Sequence, residues 1–240
     1  MLIKRFLIGM VSGILFFIIL EQTLLMDLKP KLAHLGIAAL LALLVFPLGL
    51  QFSEMVKQLY PVTDEVEFQM TELSGAIDSA PYAWLPFLLI AALPALCEEL
   101  AFRGYILSGL RHTGHKWWAI GISAVAFGMV HFFLQQKISA AAVGLILGYL
   151  AVQTGSLLPC IVFHAIYNGL AVAIGKLSEE TTSQWSWLFS SEGETLFQPE
   201  VMIVCLLGVG CLCWMLHRIP YRRTAEEQLN EAREQQLAGA

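Results

Sequence analysis

Ala95-Leu96-Cys97-Glu98-Glu99-Leu100-Ala101-Phe102-Arg103-Gly104 is an apolar helical run that carries two adjacent carboxylates and an arginine. Charges in such a run are expensive inside a bilayer and persist where they have partners or a chemical task. Around it lies a chain of 240 residues, 57% hydrophobic and 14% charged, with a mean hydropathy of +0.68. A soluble domain carries about 25% charge, so this chain has too little to cover a water-facing surface. Its apolar residues come in runs near bilayer-spanning length. The expected fold class is all-α: a polytopic transmembrane helical bundle with a polar cavity inside the membrane. The net charge of -5 sits mainly in two acidic loops, and no basic cluster suits nucleic acid.

The pattern gives about seven spans, or eight if a poorly marked one is counted: 6–26, 35–50, 82–110, 117–134, 138–153, 157–176 and 200–217. Residues 1–217 read as one membrane domain, and 218–240 as a soluble polar tail rich in Glu and Gln. Lys4-Arg5 and the apolar run after it look like a signal peptide, but no small-x-small cleavage site follows, so a retained span is expected. The third helix would be roughly 43 Å long at 1.5 Å per residue, more than the hydrocarbon core needs. Pro86 and Pro94 lie inside it, which predicts a kink just before Glu98. Residues 51–80 form an acidic loop with Asp64, Glu65, Glu67, Glu72 and Asp78, its back half a short surface helix. A second acidic loop, 177–199, carries Trp185, Trp187 and Phe189 for the membrane interface. Arg111, Lys116, Arg218, Arg222 and Arg223 place the 111–116 turn and the chain's end inside. Lys4 and Arg5 pull the start to the same side, which seven spans cannot satisfy. Cys97, Cys160, Cys205, Cys211 and Cys213 lie in apolar stretches with no metal or disulfide spacing and read as small buried hydrophobes.

Three polar groups fall on successive spans: Glu98-Glu99-x-x-x-Arg103, Phe127-x-x-x-His131 and His164-x-x-x-Asn168. Glu99 and Arg103 are four apart, share a helix face and can pair. Glu98 is turned about 100° away and is left for another task. Measured from the 111–116 turn, Glu98 lies roughly 18 Å back along its helix and His131 roughly 21–23 Å forward along the next. His164 and Asn168 fall roughly 11–17 Å deep by the same rise. All can therefore meet in one layer. Taken singly, each is also what a polar packing contact between helices looks like; level with one another, they suggest a site. A carboxylate in an apolar pocket can take a proton from water, so Glu98, helped by His131, would make a hydroxide-like nucleophile. His164 and Asn168 would hydrogen-bond the oxyanion of a tetrahedral intermediate, and Glu99 with Arg103 would hold the helix and the local field. Glu98, His131 and His164 are also a chemically acceptable zinc set with an open fourth position. His-Glu-x-x-His is absent, and the sequence leaves a bound divalent metal and a purely organic site both open. Gly144-x-x-x-Gly148 offers a smooth strip for a neighbouring helix.

At these residues the chain resembles the CPBP family of intramembrane proteases, also called the CAAX-protease or Abi family. The matching pieces are Glu98-Glu99-Leu100-Ala101-Phe102-Arg103-Gly104, Phe127-Gly128-Met129-Val130-His131 and His164-Ala165-Ile166-Tyr167-Asn168, in the family's order, within about residues 82–172. The resemblance implies a multi-pass integral membrane endopeptidase, in the cell membrane, acting on a peptide or protein substrate that in some relatives is lipidated. It implies Glu98 as base, His131 as helper, and His164 and Asn168 as oxyanion or site-shaping groups; relatives are commonly labelled metalloproteases. The competing reading is a non-catalytic membrane protein, such as a transporter, proton relay or bacteriocin-immunity partner, because intramembrane Glu, His and Arg also mark ion pathways. The halves of the chain show no repeat symmetry of the kind many transporters carry.

Overall fold

The computed structural model describes residues 32–190, 196–221, 223 and 225–238. The expected first span, with Lys4, Arg5 and Glu21, lies outside them, as does Arg222. Among the described residues the fold is all-α. α1 is Leu32–Leu59 and α2 is Asp64–Asp78. α3 is the long helix Trp84–Arg111. α4 is Lys116–Met129, α5 Leu134–Thr154 and α6 Leu158–Ile174. α7 is Glu179–Gln184, α8 Pro199–His217 and α9 Ala225–Ala238. Four of these, α1, α3, α5 and α8, are long and apolar enough to cross a bilayer.

Local chemistry sets the ends. α2 follows Pro61 and carries Asp64, Glu65 and Glu67 in its first turn, where the helix dipole favours anions. α6 and α8 start with proline in the first turn, where its missing N–H costs nothing. α5 stops at Gly155, whose φ of 65° is left-handed and whose N–H bonds the Ala151 carbonyl.

Two expectations are corrected. The fourth span does not run to residue 134: α4 ends at Met129 after 14 residues, and residues 130–133 form the turn into α5. The turn is closed by backbone approach at Gly128, where a Cβ would lie 2.5 Å from the Lys137 carbonyl. The second expected span does not stop at residue 50 either: α1 runs on to Leu59, through the start of the expected acidic loop. The tail helix touches the 111–116 turn. Arg111 Nη2 donates to Tyr221 Oη, Tyr221 Oη donates to Glu227, and Asn230 donates to the Thr113 carbonyl. Burial and the bond to Glu227 push the Tyr221 hydroxyl up to about 12, so it stays a donor across the neutral range. The 111–116 turn and the tail therefore share one end of the bundle. That end holds Arg111, Lys116, Arg218 and Arg223.

The apolar core lies towards this end, with Leu41, Leu107, Leu147, Leu150, Phe163 and Leu216 at its centre. The glycine strip is used: Gly144 faces Ala124 and Phe127, and Gly148 faces Ile120, which brings α5 close against α4. Gly128→Ala is expected to cost about 1–3 kcal/mol of stability in detergent, the usual range for overpacking. Gly121→Ala, which meets open space, should leave melting unchanged or slightly raised; equal melting of both variants would contradict the tight α4–α5 turn.

Candidate active site

The site begins with the backbone of α3. Its Leu93–Glu99 segment is α-helical, but Phe87–Ala92 before it and Leu100–Leu107 after it are π-helical. The distortion expected at Pro94 thus takes the form of widened turns, which occur often at functional sites. Pro94 has no N–H for the Ile90 carbonyl four residues back. Asn168 Nδ2 from α6 donates to that carbonyl at 3.3 Å. After the carboxylates, Ser123 Oγ from α4 donates to the Phe102 carbonyl at 2.9 Å, and Ser108 Oγ to the Gly104 carbonyl. Side chains thus bond backbone oxygens on both sides of the acidic pair.

Glu99 and Arg103 pair as their spacing predicts, with Arg103 Nη1 2.7 Å from Glu99 Oε1 and both side chains 0% exposed. Arg103 Nη2 also donates to the Gly144 carbonyl at 3.2 Å, and its guanidinium carbon lies 4.4 Å from the centre of the Phe127 ring. The same Oε1 receives His164 Nδ1 at 2.8 Å. An ionised carboxylate only accepts, so the imidazole donates from Nδ1 and presents Nε2 on its far side. That Nε2 is 3.9 Å from Glu98 Oε2. Glu98 differs from its neighbour: its side chain is 29% exposed.

His131 lies in the turn beyond α4 rather than within the helix. Its ring still stacks with Phe127 as the four-residue spacing suggested, at 5.1 Å and T-shaped, and Nδ1 donates to the Phe127 carbonyl at 2.9 Å. Its Nε2 is thereby left as the acceptor nitrogen. His164 is also T-shaped against Phe127, at 5.6 Å. The structure therefore gathers Glu98, Glu99, Arg103 and His164 directly, with His131 joined through Phe127. Asn168 sits one turn further along α6, with an amide hydrogen on α3.

Sequence reasoning missed the central place of Phe127, which contacts Phe102, Arg103 and both imidazoles. It also missed the Gly144 and Ile90 carbonyls, for which backbone oxygens give no sequence signal. Among the described residues no three His, Cys, Asp or Glu side chains are grouped to hold an ion. Glu98 and His164 face one another, and His131 Nδ1 is bonded to the Phe127 carbonyl.

Residues 80–170 match the family model described as type II CAAX prenyl endopeptidase, Rce1-like. Over these residues the chain is similar to that family. All six candidate residues fall inside the match, whereas α1, α2 and the helices after α6 lie beyond it. No curated protein and no solved structure matches the chain. The match, with the apolar helices, supports an integral membrane protein.

Removing Arg103 leaves the Glu99 carboxylate buried with its main cation gone. Arg103→Met is expected to cost about 3–5 kcal/mol, the range for breaking a buried pair, read as a fall in melting temperature in detergent. Unchanged melting would show that the pair does not form.

Proposed function

We propose that the protein is an intramembrane endopeptidase in which Glu98 activates water to hydrolyse a peptide bond. The observation that carries this reading is the half-exposed Glu98 carboxylate facing His164 Nε2 across 3.9 Å, with the other imidazole nitrogen held by the buried Glu99–Arg103 pair. A water ~2.8 Å from both atoms subtends roughly a right angle, so both can bond it. One carboxylate is kept for structure and its neighbour is open to solvent, a division that suits a base beside a fixed support.

In the proposed reaction Glu98 takes a proton from water. The new hydroxide forms a C–O bond to the scissile carbonyl carbon, and the carbonyl π pair moves onto oxygen. His131, with Nε2 as acceptor, holds the water in line. His164 donates to the oxyanion from Nε2 in its doubly protonated form, and Glu99 across Nδ1 balances that charge. Asn168 has a second amide hydrogen for the same oxygen. Collapse breaks the C–N bond, and Glu98 returns its proton to the leaving nitrogen. The products are a carboxylate and an amine, and Glu98 is ready for another turnover. No step is routed through a metal. The family description suggests a prenylated protein as substrate, and the finer assignment rests on that likeness alone.

Glu98→Gln should reduce cleavage by at least about 100-fold, the scale of a lost general base, with melting unchanged. Comparing membrane proteomes from cells carrying wild type and Glu98→Gln should reveal a substrate that loses its trimmed form. Undiminished trimming would remove Glu98 as base. Cleavage by purified protein should also survive chelator treatment; loss that zinc restores would show that His131 moves to complete a metal site.

A further inference from the structure

Lys57, Lys137 and Lys176 lie at the end opposite the tail, and Asp and Glu contribute little to membrane orientation. The acids therefore need another account. Between Lys57 and Arg103, and again between Lys176 and Arg218, the chain has no Lys or Arg at all. In these stretches Asp64, Glu65, Glu67, Glu72 and Asp78, and then Glu179, Glu180 and Glu200, gather at the end opposite the tail. Contacts that join this end include Gln135 Nε2 to the Tyr60 carbonyl and the Leu196 N–H to Gln51 Oε1.

The acids flank a defined feature. α2 leaves a groove against the last turns of α6, lined by Leu73, Ile77 and Asp78 on one side and Ala171, Val172 and Gly175 on the other. α7, with Glu179 and Glu180 at its start, follows directly. The groove holds about 140 Å³. A cavity of about 150 Å³ takes one benzene-sized group, so this one suits a single apolar side chain and not a helix. α2 has no buried residue, and Phe68 and Leu73 on it are more than half exposed. Of its acids Asp78 lines the groove and Glu65 accepts from Gln69; no base lies within α2, and Lys176 follows Gly175 across the groove.

The groove also lies on a path to Glu98. Ala171 and Val172 are one turn beyond Asn168, and Asn168 bonds Ile90, which is eight residues, or about 12 Å, before Glu98 on α3. The whole path is roughly 15–20 Å, and an extended strand covers about 3.3 Å per residue.

We propose that this groove docks the substrate. One apolar side chain fills it, and basic residues beside that side chain face the acids of α2 and α7, about five or six residues from the bond to be cut. The assignment rests on the peptidase reading above and adds the substrate chemistry: an extended segment with an apolar residue flanked by Lys or Arg.

The test measures binding and cleavage separately. Full-length Glu98→Gln protein in detergent is titrated with two fluorescent peptides: a leucine flanked by lysines, and the same peptide with glutamines. The lysine peptide should bind about tenfold more tightly, the scale of a few exposed charge contacts, and high salt should remove the difference. Adding Glu72→Gln and Asp78→Asn should weaken only the lysine peptide, whereas Ala171→Leu, which fills the groove, should weaken both. Equal binding of the two peptides, or affinity unmoved by the α2 changes, overturns the proposal and leaves the groove to lipid. If the lysine peptide binds as expected and is not cut by protein with Glu98 intact, docking stands and the peptidase reading falls. If both peptides are cut alike and neither responds to the groove variants, the reverse holds.

Discussion

Glu99 Oε1 accepts from two donors on two helices, Arg103 on α3 and His164 on α6, in a place with no solvent exposure. A carboxylate there is tolerated only while both donors stay, because breaking a buried pair leaves an uncompensated charge in a low-dielectric layer. That demand ties α3 to α6, and through the Gly144 carbonyl it ties α3 to α5 as well. It also settles which imidazole nitrogen faces Glu98. Packing and chemistry thus share one constraint: the charge that is costly to bury orients the group beside the exposed acid.

The π-helical turns serve the same end. A backbone carbonyl has two lone pairs and can take a second donor besides its helical N–H. Pro94 leaves the Ile90 carbonyl without its α-helical N–H, and Asn168 from α6 reaches it; Ser123 from α4 adds a bond to the Phe102 carbonyl. Cross-helix hydrogen bonds of this kind are worth about 1 kcal/mol each in a membrane. Several together, with small-residue contacts at Gly144 and Gly148, hold the acidic segment between fixed neighbours. Asn168 carries two tasks as a result, since the bond that positions α6 lies one turn from the imidazole.

The two ends of the bundle differ in character. At one end a compact apolar core and the Arg111–Tyr221–Glu227 contacts draw the tail helix onto the 111–116 turn. At the other end the helices open around an acidic rim and a shallow groove. The family match covers the six candidate residues but not the rim, which lies partly in α2 and α7 outside the matched residues.

Much of this was legible in the chain. Hydropathy gave α3, α5, α6 and α8 to within a few residues, because bilayer thickness sets run length, but stopped α1 nine residues short of Leu59. The four-residue spacing of Glu99 and Arg103 gave their pairing, since helix geometry fixes neighbours on one face, and the same geometry turned Glu98 aside. Long-range partners were not legible. His164 reaches Glu99 across 65 positions, and no local periodicity encodes which of two carboxylates a distant imidazole meets. The end of α4 at Met129 also escaped, because the turn is set by how closely Gly128 approaches α5 rather than by a breaking residue. Sequence determined what is buried and how each helix is faced, as properties of neighbours along one helix. Only the tertiary structure decided which faces meet, which nitrogen is presented and where the acids gather, as properties of packing between helices.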